Sequence, residues 1–297
     1  MLLPKFSFQQ PASLDEALEI LAHHGEQAAV IAGGTDLLVN LKHKNVSPRH
    51  LVGLEMLGEL QTIGAEGGFL LLGPRLTAST LAGSDRLRGS ARALALGASV
   101  LGSPQVRNRA TVGGNVCNAR PAADMSVPLL ALEASVLLRS RSGQREVPLA
   151  EFFLGPGSTA RRSEELLVGI KVPAAAEGSG GGYQKLGLRK ALEIALVNVA
   201  AVLTLEGDGK TIKTAQVALG SVAPTPILSP GASQALAGQA AGPQAFAEAG
   251  RAAAADARPI DDHRGSAEYR RQMVEVLTGR ALAQAWQAAR GVQEVMS

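Results

Sequence analysis

The sequence predicts an α+β protein whose N-terminal helices and strands precede a C-terminal unit of antiparallel strands and helices. Three observations support this prediction. A strand–helix–strand pattern occupies residues 28–54, glycine-centred loops stand at residues 32–36 and 111–115, and residues 173–182 are rich in alanine, glycine and serine. Because the last segment has a linker's composition, we expect subdomains at 1–55 and 56–175 and a C-terminal domain at 176–297.

The first unit begins with a capping box in which Ser13 caps a helix and Glu16 reaches back. An apolar stripe at helical spacing follows, and Gly25 ends the helix: Leu14, Ala17, Leu18 and Leu21. We expect a strand at 28–32, a short helix near 35–41 and a strand at 50–54. The first glycine loop then follows a strand, where open α/β sheets bind ligands.

The second unit is expected to mix strands and helices. Gly67 and Gly68 indicate a turn between two strands within 62–73, and residues 76–97 favour helices. A helix near 124–131 follows the second glycine loop, and further strands are predicted at 134–140, 144–148 and 166–172.

The C-terminal unit is expected to hold three antiparallel strands at 183–189, 196–206 and 211–220. Gly207-Asp208-Gly209 is a hairpin signal between the last two. From Pro230 onward the chain is alanine-rich and reads as helical. One apolar stripe is predicted on a helix that continues through Trp286: Tyr269, Met273, Val276 and Leu277.

Composition limits the functional classes. The chain has 297 residues, 46% hydrophobic and 19% charged, which is typical of an ordered soluble protein. No apolar run reaches membrane-spanning length and residues 1–6 do not resemble a secretory signal, so a cytoplasmic location is expected. Cys117 is the single cysteine, which excludes a disulfide framework or a multi-cysteine cluster built from this chain.

The charged and nucleophilic residues form few recognisable motifs. The net charge is +3, but the arginines are scattered and no aromatics interleave with them, which disfavours a nucleic-acid surface. The five histidines show no metal spacing, and no G-x-S-x-G motif occurs. Aromatic residues make up 3% of the chain, so a planar ligand ring must rest mainly on aliphatic side chains.

The two glycine loops are candidate phosphate cradles, because a backbone without side chains can approach a ligand and offer N–H groups. Together they indicate a pyrophosphate held from two sides, hence a dinucleotide. Both G-x-G-x-x-G and the P-loop lysine are absent. The first loop could be a simple turn. Thr35 and Asp36 could also cap the following helix, whose N-terminal N–H groups and dipole favour an anion, and the capping and anion-binding readings can hold at once.

Two further residues each have a functional and a structural reading. Asp124 could accept hydrogen bonds from ribose hydroxyls or an adenine amine, or could cap the following helix. Lys185 could stabilise negative charge on a reduced ring, or could be a solvated strand edge beside Arg189. Cys117 is expected to pack near the second loop.

At these residues the chain resembles the medium, FAD-binding subunit of the molybdenum hydroxylases, a group that includes bacterial carbon monoxide dehydrogenases and xanthine dehydrogenases. Four stretches carry the resemblance in the family's order: 32–38, 110–124, 183–189 and 262–271. The resemblance covers nearly the whole chain. It departs from the pattern at Glu193, where relatives often have aspartate, and at Leu101, where some place an aromatic residue.

The resemblance implies two FAD-binding subdomains of the p-cresol methylhydroxylase type, followed by a three-stranded sheet with a helical bundle. It also implies non-covalent FAD. The two loops would wrap the pyrophosphate and ribityl chain, Asp124 would hold the adenosine part, and Lys185 would lie near the flavin ring. The full set of implied cofactor-binding residues is Ile31, Ala32, Gly33, Gly34, Thr35, Asp36, Leu37, Leu101, Thr111, Gly113, Gly114, Asn115, Asp124, Leu167 and Lys185.

The same resemblance implies a place in an electron relay. A molybdopterin-binding large subunit would oxidise substrate, a small subunit would carry two [2Fe–2S] clusters, and FAD would pass electrons onward, in a dimer of heterotrimers. No catalytic acid or base, and no metal ligand, is expected in this chain. The alternative is a self-sufficient flavin oxidoreductase on the same fold. NAD, quinone and oxygen all stay open as acceptors.

Overall fold

The computed structural model describes residues 3–189 and 191–291, so Met1 and Leu2 of the N-terminal segment lie outside it. The first unit is a three-stranded parallel sheet in the order β1-β3-β2. Its elements are β1 (Ser7–Gln9), α1 (Leu14–His24), β2 (Ala28–Ile31), α2 (Leu37–Lys42) and β3 (His50–Gly53). Ser13 caps α1 by accepting a hydrogen bond from the Glu16 N–H. The predicted βαβ unit is therefore present, and the sequence analysis missed only the short β1.

The second unit is a five-stranded antiparallel sheet in the order β4-β5-β10-β6-β7, covered by helices on its buried face. Its elements are β4 (Ile63–Glu66), β5 (Phe69–Leu72), α3 (Ala78–Ala82), α4 (Arg92–Ser99), α5 (Pro104–Arg107), α6 (Val112–Cys117), α7 (Ser126–Ala131), β6 (Ser135–Ser140), β7 (Gly143–Pro148), α8 (Leu149–Phe152), β8 (Phe153–Gly155), β9 (Ser158–Thr159) and β10 (Leu166–Pro173). Gly67 and Gly68 both have positive φ, as the tight β4–β5 turn requires.

The C-terminal unit packs helices against a four-stranded antiparallel sheet in the order β11-β12-β13-β14. Its elements are β11 (Ser179–Leu186), β12 (Val197–Leu205), β13 (Ile212–Gly220), β14 (Ile227–Leu228), α9 (Pro230–Leu236), α10 (Pro243–Asp256) and α11 (Ala267–Ala289). Strands β12 and β13 agree with the prediction, β11 begins four residues and ends three residues earlier than the predicted strand at 183–189, and the two-residue β14 is an addition. Among the helices of the described residues, none has the length and apolar character needed to cross a bilayer.

The predicted apolar stripe on α11 is partly wrong. Tyr269 is 42% exposed and Val276 40% exposed. The residues that face the sheet and α10 are mostly smaller: Val274, Leu277, Ala281, Leu282 and Ala285. Leu277 of the predicted stripe is buried as expected, but Val274, Ala281 and Ala285 make up most of the contact face, and the stripe of large apolar residues did not include them.

A run of glycines in β11 explains why α11 presents alanine side chains to this strand. The expected linker ends earlier than predicted, since β11 begins at Ser179. An ideal Cβ on Gly180 would lie 2.0 Å from the Ala285 carbonyl oxygen, and one on Gly182 would lie 2.1 Å from the Ala281 carbonyl oxygen. The backbone of α11 therefore rests directly on the backbone of β11.

We expect Gly182→Ala to lower the free energy of unfolding by at least about 2 kcal/mol, because the added methyl meets a helix backbone that cannot rotate away. Gly207→Ala is the matched control, since nothing lies within 4 Å of its Cβ position. Urea denaturation of both variants measures the difference. Equal unfolding midpoints would contradict the proposed close packing.

Candidate functional site

A cavity of about 1220 Å³ lies where the three units meet. Every implied cofactor-binding residue except Lys185 lines it: Ile31, Ala32, Gly33, Gly34, Thr35, Asp36, Leu37, Leu101, Thr111, Gly113, Gly114, Asn115, Asp124 and Leu167. Lys185 contacts one of these residues, Asp124, at 2.8 Å. Residues far apart in the sequence are thus brought to one concave surface.

The glycines of the two loops have different physical roles. An ideal Cβ on Gly33 would lie 1.9 Å from the Arg109 carbonyl oxygen, and one on Gly113 would lie 2.5 Å from the Pro74 Cβ. These two glycines are required by packing within the chain. Gly34 has φ +73°, which L side chains rarely adopt.

Gly114 differs from the other loop glycines because its main chain is exposed to the cavity. It is exposed and lines the cavity. Its ideal Cβ meets only the Thr111 Oγ1, at 3.0 Å. An added Cβ would therefore meet one side-chain oxygen and no backbone atom, and the main chain at Gly114 is open to the cavity.

The second glycine loop is the first turn of α6. Thr111 caps that helix, and its hydroxyl accepts a hydrogen bond from the Gly114 N–H at 3.2 Å. The Asn115 Oδ1 accepts hydrogen bonds from the Met125 N–H (3.2 Å) and the Ser126 hydroxyl (3.4 Å). Since the carbonyl side of Asn115 is occupied, its amide group would act toward a ligand as a donor.

The capping alternatives for Asp36 and Asp124 are not realised. Asp36 stands at the start of α2 without a side-chain cap hydrogen bond. Helix α7 begins at Ser126 after Met125, and the Asp124 carboxylate instead accepts from the Tyr183 hydroxyl (2.7 Å) and the Lys185 ammonium (2.8 Å). Asp124 therefore belongs to a polar network with β11.

That network continues into the core of the C-terminal unit. Asn198, fully buried on β12, donates through Nδ2 to the Tyr183 hydroxyl at 3.0 Å. Burial raises the pKa of Asp124, while the neighbouring Lys185 charge and the hydrogen bonds from Lys185 and Tyr183 act in the opposite direction. Burial and the Asp124 charge also raise the pKa of Tyr183, which is held as a neutral hydroxyl.

The Asp124–Lys185 contact limits what the two residues can do to a ligand. An ammonium and a carboxylate 2.8 Å apart address the same part of any extended molecule. The resemblance assigns Asp124 to the adenosine and Lys185 to the flavin ring, whereas this contact places the two side chains next to each other.

The chain matches two consecutive family models. Residues 4–175 match the FAD binding domain in molybdopterin dehydrogenase, and residues 183–285 match the CO dehydrogenase flavoprotein C-terminal domain. The chain belongs to this flavoprotein family.

Similar proteins match this chain over both domains. The chain is 35% identical to the carbon monoxide dehydrogenase medium chain of Hydrogenophaga pseudoflava, over 96% of this chain and 99% of that one. It is 33% identical to a xanthine dehydrogenase FAD-binding subunit of Escherichia coli O157:H7, covering 96% and 97%. The structure of quinoline 2-oxidoreductase from Pseudomonas putida 86 superposes with a TM-score of 0.88 at 29% identity, covering 99% of this chain and 100% of that one.

A carbon monoxide dehydrogenase structure from Hydrogenophaga pseudoflava, lacking the Mo-pyranopterin moiety, superposes with a TM-score of 0.91 at 34% identity, covering 97% and 99%. These structures support the fold predicted from the sequence. The predicted family membership is confirmed as well.

Sequence reasoning missed part of the cavity wall of the flavoprotein. The missed residues come from the loops after α6 and β9 and from the C-terminal unit: Arg120, Arg161, Ile194, Ser221, Arg258, Ile260, Asp262, Arg264 and Arg270. The 262–271 stretch was recognised only as a family signature. No local pattern marks the others, because their position depends on chain packing over long sequence distances.

Arg270 shows what the 262–271 signature does. Only 4% exposed, its guanidinium donates to the carbonyl oxygens of Leu196 (2.8 Å) and Ser221 (3.1 Å) and to Asp262 Oδ1 (2.7 Å). Backbone donation from Arg264, followed by the contacts with Arg270, lowers the pKa of Asp262. The signature thus fixes α11 against the strand ends that border the cavity.

We expect Tyr183→Phe to lower the free energy of unfolding by about 1–3 kcal/mol, because it removes a donor to buried Asp124 and an acceptor for Asn198. Tyr269→Phe is the control, since Tyr269 is the only other tyrosine and is exposed. Urea denaturation compares the two. Indistinguishable losses would show that the Tyr183 hydroxyl is not part of a stabilising network.

A pH dependence is expected from Glu165, which buttresses the cavity wall. Two hydrogen bonds from Arg145 (2.6 and 2.9 Å) lower the pKa of Glu165 from its ordinary value of 4.5. The stabilisation is therefore complete above that value and is lost as the pH falls through the lowered pKa. At pH 7 the unfolding temperature of Glu165→Gln should be lower than that of the unmodified chain. The difference between the two temperatures should disappear as the pH falls below the lowered pKa.

The control for this titration is Glu177→Gln, because Glu177 is exposed. Its unfolding temperature should follow that of the unmodified chain across the range. A gap for Glu165→Gln that persists unchanged below the lowered pKa would contradict an ionic origin.

Proposed function

We propose that the chain is the FAD-binding electron-transfer subunit of a heteromeric molybdenum hydroxylase. The observation that carries the proposal is one cavity of about 1220 Å³ lined by both glycine loops, in a chain whose residues 4–175 match an FAD-binding domain. Single-ligand pockets are roughly 300–1,000 Å³, so this cavity suits a molecule as large as a dinucleotide. Bound FAD would supply one- and two-electron transfer.

The residues present fit the cofactor. Gly114 leaves backbone exposed to the cavity, where an added Cβ would intrude. The Asn115 amide group would donate to phosphate or ribityl oxygens. Lys185, fixed by Asp124 and by the Val100 carbonyl oxygen (3.3 Å), would present positive charge beside a ring that gains electrons.

We assign the flavin ring to the part of the cavity lined by Leu101 and Asp124, next to Lys185, which contacts Asp124. Leu101 is 8% exposed and directly follows Val100, whose carbonyl accepts from Lys185. Asp124 then acts on the ring side by holding Lys185, rather than on the adenosine. The glycine loops would hold the pyrophosphate, and the chain's division at about residues 55 and 175 would separate the two FAD-binding subdomains from the C-terminal domain.

The relatives' names favour a subunit over a self-sufficient flavoenzyme. They include medium chains and FAD-binding subunits of dehydrogenases, and a nicotine 6-hydroxylase medium subunit from Paenarthrobacter nicotinovorans. The partners proposed are a molybdopterin-binding large subunit and a [2Fe–2S] small subunit, assembled as a dimer of heterotrimers in the cytoplasm.

The function is tested by expressing the chain with its natural partners and analysing the purified complex. We expect flavin absorbance together with molybdenum and iron, and flavin reduction by substrate only when the partners are present. Reduction of the isolated chain by a small substrate would favour the self-sufficient enzyme instead.

We expect Gly114→Leu to weaken FAD binding at least tenfold, because the leucine side chain would stand between the ligand and the main chain at this position. A tenfold loss of affinity corresponds to about 1.4 kcal/mol. Gly207→Leu, at a position with no neighbours within 4 Å, is the control. FAD titration into the flavin-free chain measures both. Full occupancy of Gly114→Leu at equal affinity would refute the role of the second loop.

A further inference from the structure

Three histidines of the first unit lie together outside the cavity. His23 and His24 are the last two residues of α1, and His50 is the first residue of β3. The rings of His24 and His50 are stacked, with their centroids 3.6 Å apart and their planes 13° apart. The ring of His23 meets that of His24 edge-on, with centroids 4.6 Å apart. In the part of the chain that the structure describes, they do not form a metal-binding group.

The stack stands where the elements of the parallel sheet come together. His50 lies opposite Ser7 of β1 and opposite Ala28 of β2, and the Ser7 Oγ is 2.7 Å from the His50 Nδ1. The His24–His50 contact therefore links the end of α1 to the central strand of the sheet. Ala28 also lines the cavity, so the link stands beside a strand that borders the candidate site.

Positive charge on both rings would oppose this arrangement. Neutral aromatic rings stack favourably, and a cation is attracted to the face of a neutral ring. Two positively charged rings at the separation of His24 and His50 would repel each other. The link is therefore compatible with one proton on the pair but not with two.

The surroundings of His24 supply no negative charge to offset that repulsion. The titratable groups that act on it are His50 and His23, both of which gain positive charge as the pH falls. Strand β1 contributes the uncharged hydroxyl of Ser7, and β2 (Ala28–Ile31) has no titratable side chain. Within residues 3–189 and 191–291, no carboxylate forms an ion pair with any of the three histidines.

The sign of the pH dependence follows from His24. The dipole at the end of a helix favours a charged histidine there. Desolvation, followed by the charges of His50 and His23, nevertheless lowers the pKa of His24 from its ordinary value of 6.5. The folded chain thus holds His24 neutral at a pH where the unfolded chain protonates it. The stabilisation is complete above the ordinary value and is lost as the pH falls through the lowered pKa.

We propose that the His24–His50 stack is a proton-sensitive link, which holds the end of α1 against the sheet at neutral pH and releases it when both rings are protonated. The Ser7 hydroxyl can donate to a neutral Nδ1 of His50 or accept from a protonated one. Strand β1 therefore holds His50 in either state, and the separation occurs between α1 and β3. The inference goes beyond the proposed function, since no ligand takes part in it.

The test follows the ring-proton NMR signals of His24 in the full chain and in its His50→Phe variant. Phenylalanine keeps a flat ring at position 50 and cannot be protonated. We expect the titration midpoint of His24 to lie at least about 0.5 pH unit higher in the variant, because the opposing charge is gone. An unchanged or lower midpoint would overturn the proposal.

A second variant, His24→Phe, decides the matter if His50→Phe does not fold. Between pH 7.5 and pH 5.5, the unfolding temperature of the unmodified chain should fall by about 1–3 °C more than that of His24→Phe. His43→Phe is the matched control, because His43 is exposed and stacks on no ring among the described residues. Its curve should follow that of the unmodified chain, and parallel curves for the unmodified chain and His24→Phe would contradict the link.

Release of the helix end is read from amide hydrogen exchange. The Arg49 N–H donates to the Gln27 carbonyl oxygen at 2.9 Å, just beyond α1. At pH 5.5 this amide should exchange faster in the unmodified chain than in His24→Phe, because only the unmodified chain can charge both rings of the stack. Equal exchange rates would show that protonation does not open the link.

Discussion

A single main-chain contact holds the cavity together: the first glycine loop rests on the backbone at Arg109. With an ideal Cβ on Gly33 only 1.9 Å from that carbonyl oxygen, no other residue fits without displacing one of the two N-terminal units. The contact sets the distance between β2 and the start of α6. Both loops can therefore face the same cavity because Gly33 has no side chain where the first loop meets the chain just before the second.

The same constraint recurs where the C-terminal unit joins the rest. Gly181 faces the second unit, with its ideal Cβ 2.1 Å from the Ser90 carbonyl oxygen, while Gly180 and Gly182 face α11. One glycine run thus fixes β11 between two layers. Because β11 also carries Tyr183 and Lys185, this close packing determines how deeply the Lys185 ammonium and the Asp124 carboxylate are buried.

Local signals in the sequence predicted the local structure well. The Ser13 cap, the Gly67–Gly68 turn and the three long C-terminal strands all follow from short-range chemistry, and the structure has each of them. Loop composition also indicated which segments meet at the cavity. What failed depended on contacts between distant segments. Asp124 caps no helix because Tyr183 and Lys185, some sixty residues later, occupy its carboxylate.

The polar groups around the cavity differ in how freely they can respond to a ligand. Asp124, Glu193 and Asp262 are already committed to cations of the chain, namely Lys185, Arg189 and Arg270. An anion entering the cavity therefore meets three carboxylates whose charge is compensated, while the fourth, Asp36, makes no ion pair with the described residues. Buried ion pairs are weak evidence for stability by themselves, but here they would reduce the repulsion that an anionic ligand meets. Charge pairing and exposed backbone would thus act together on a pyrophosphate: the first would lower the cost of bringing it in, and the first glycine loop would supply the main-chain donors. The N–H groups of residues 112–115 already bond within the chain.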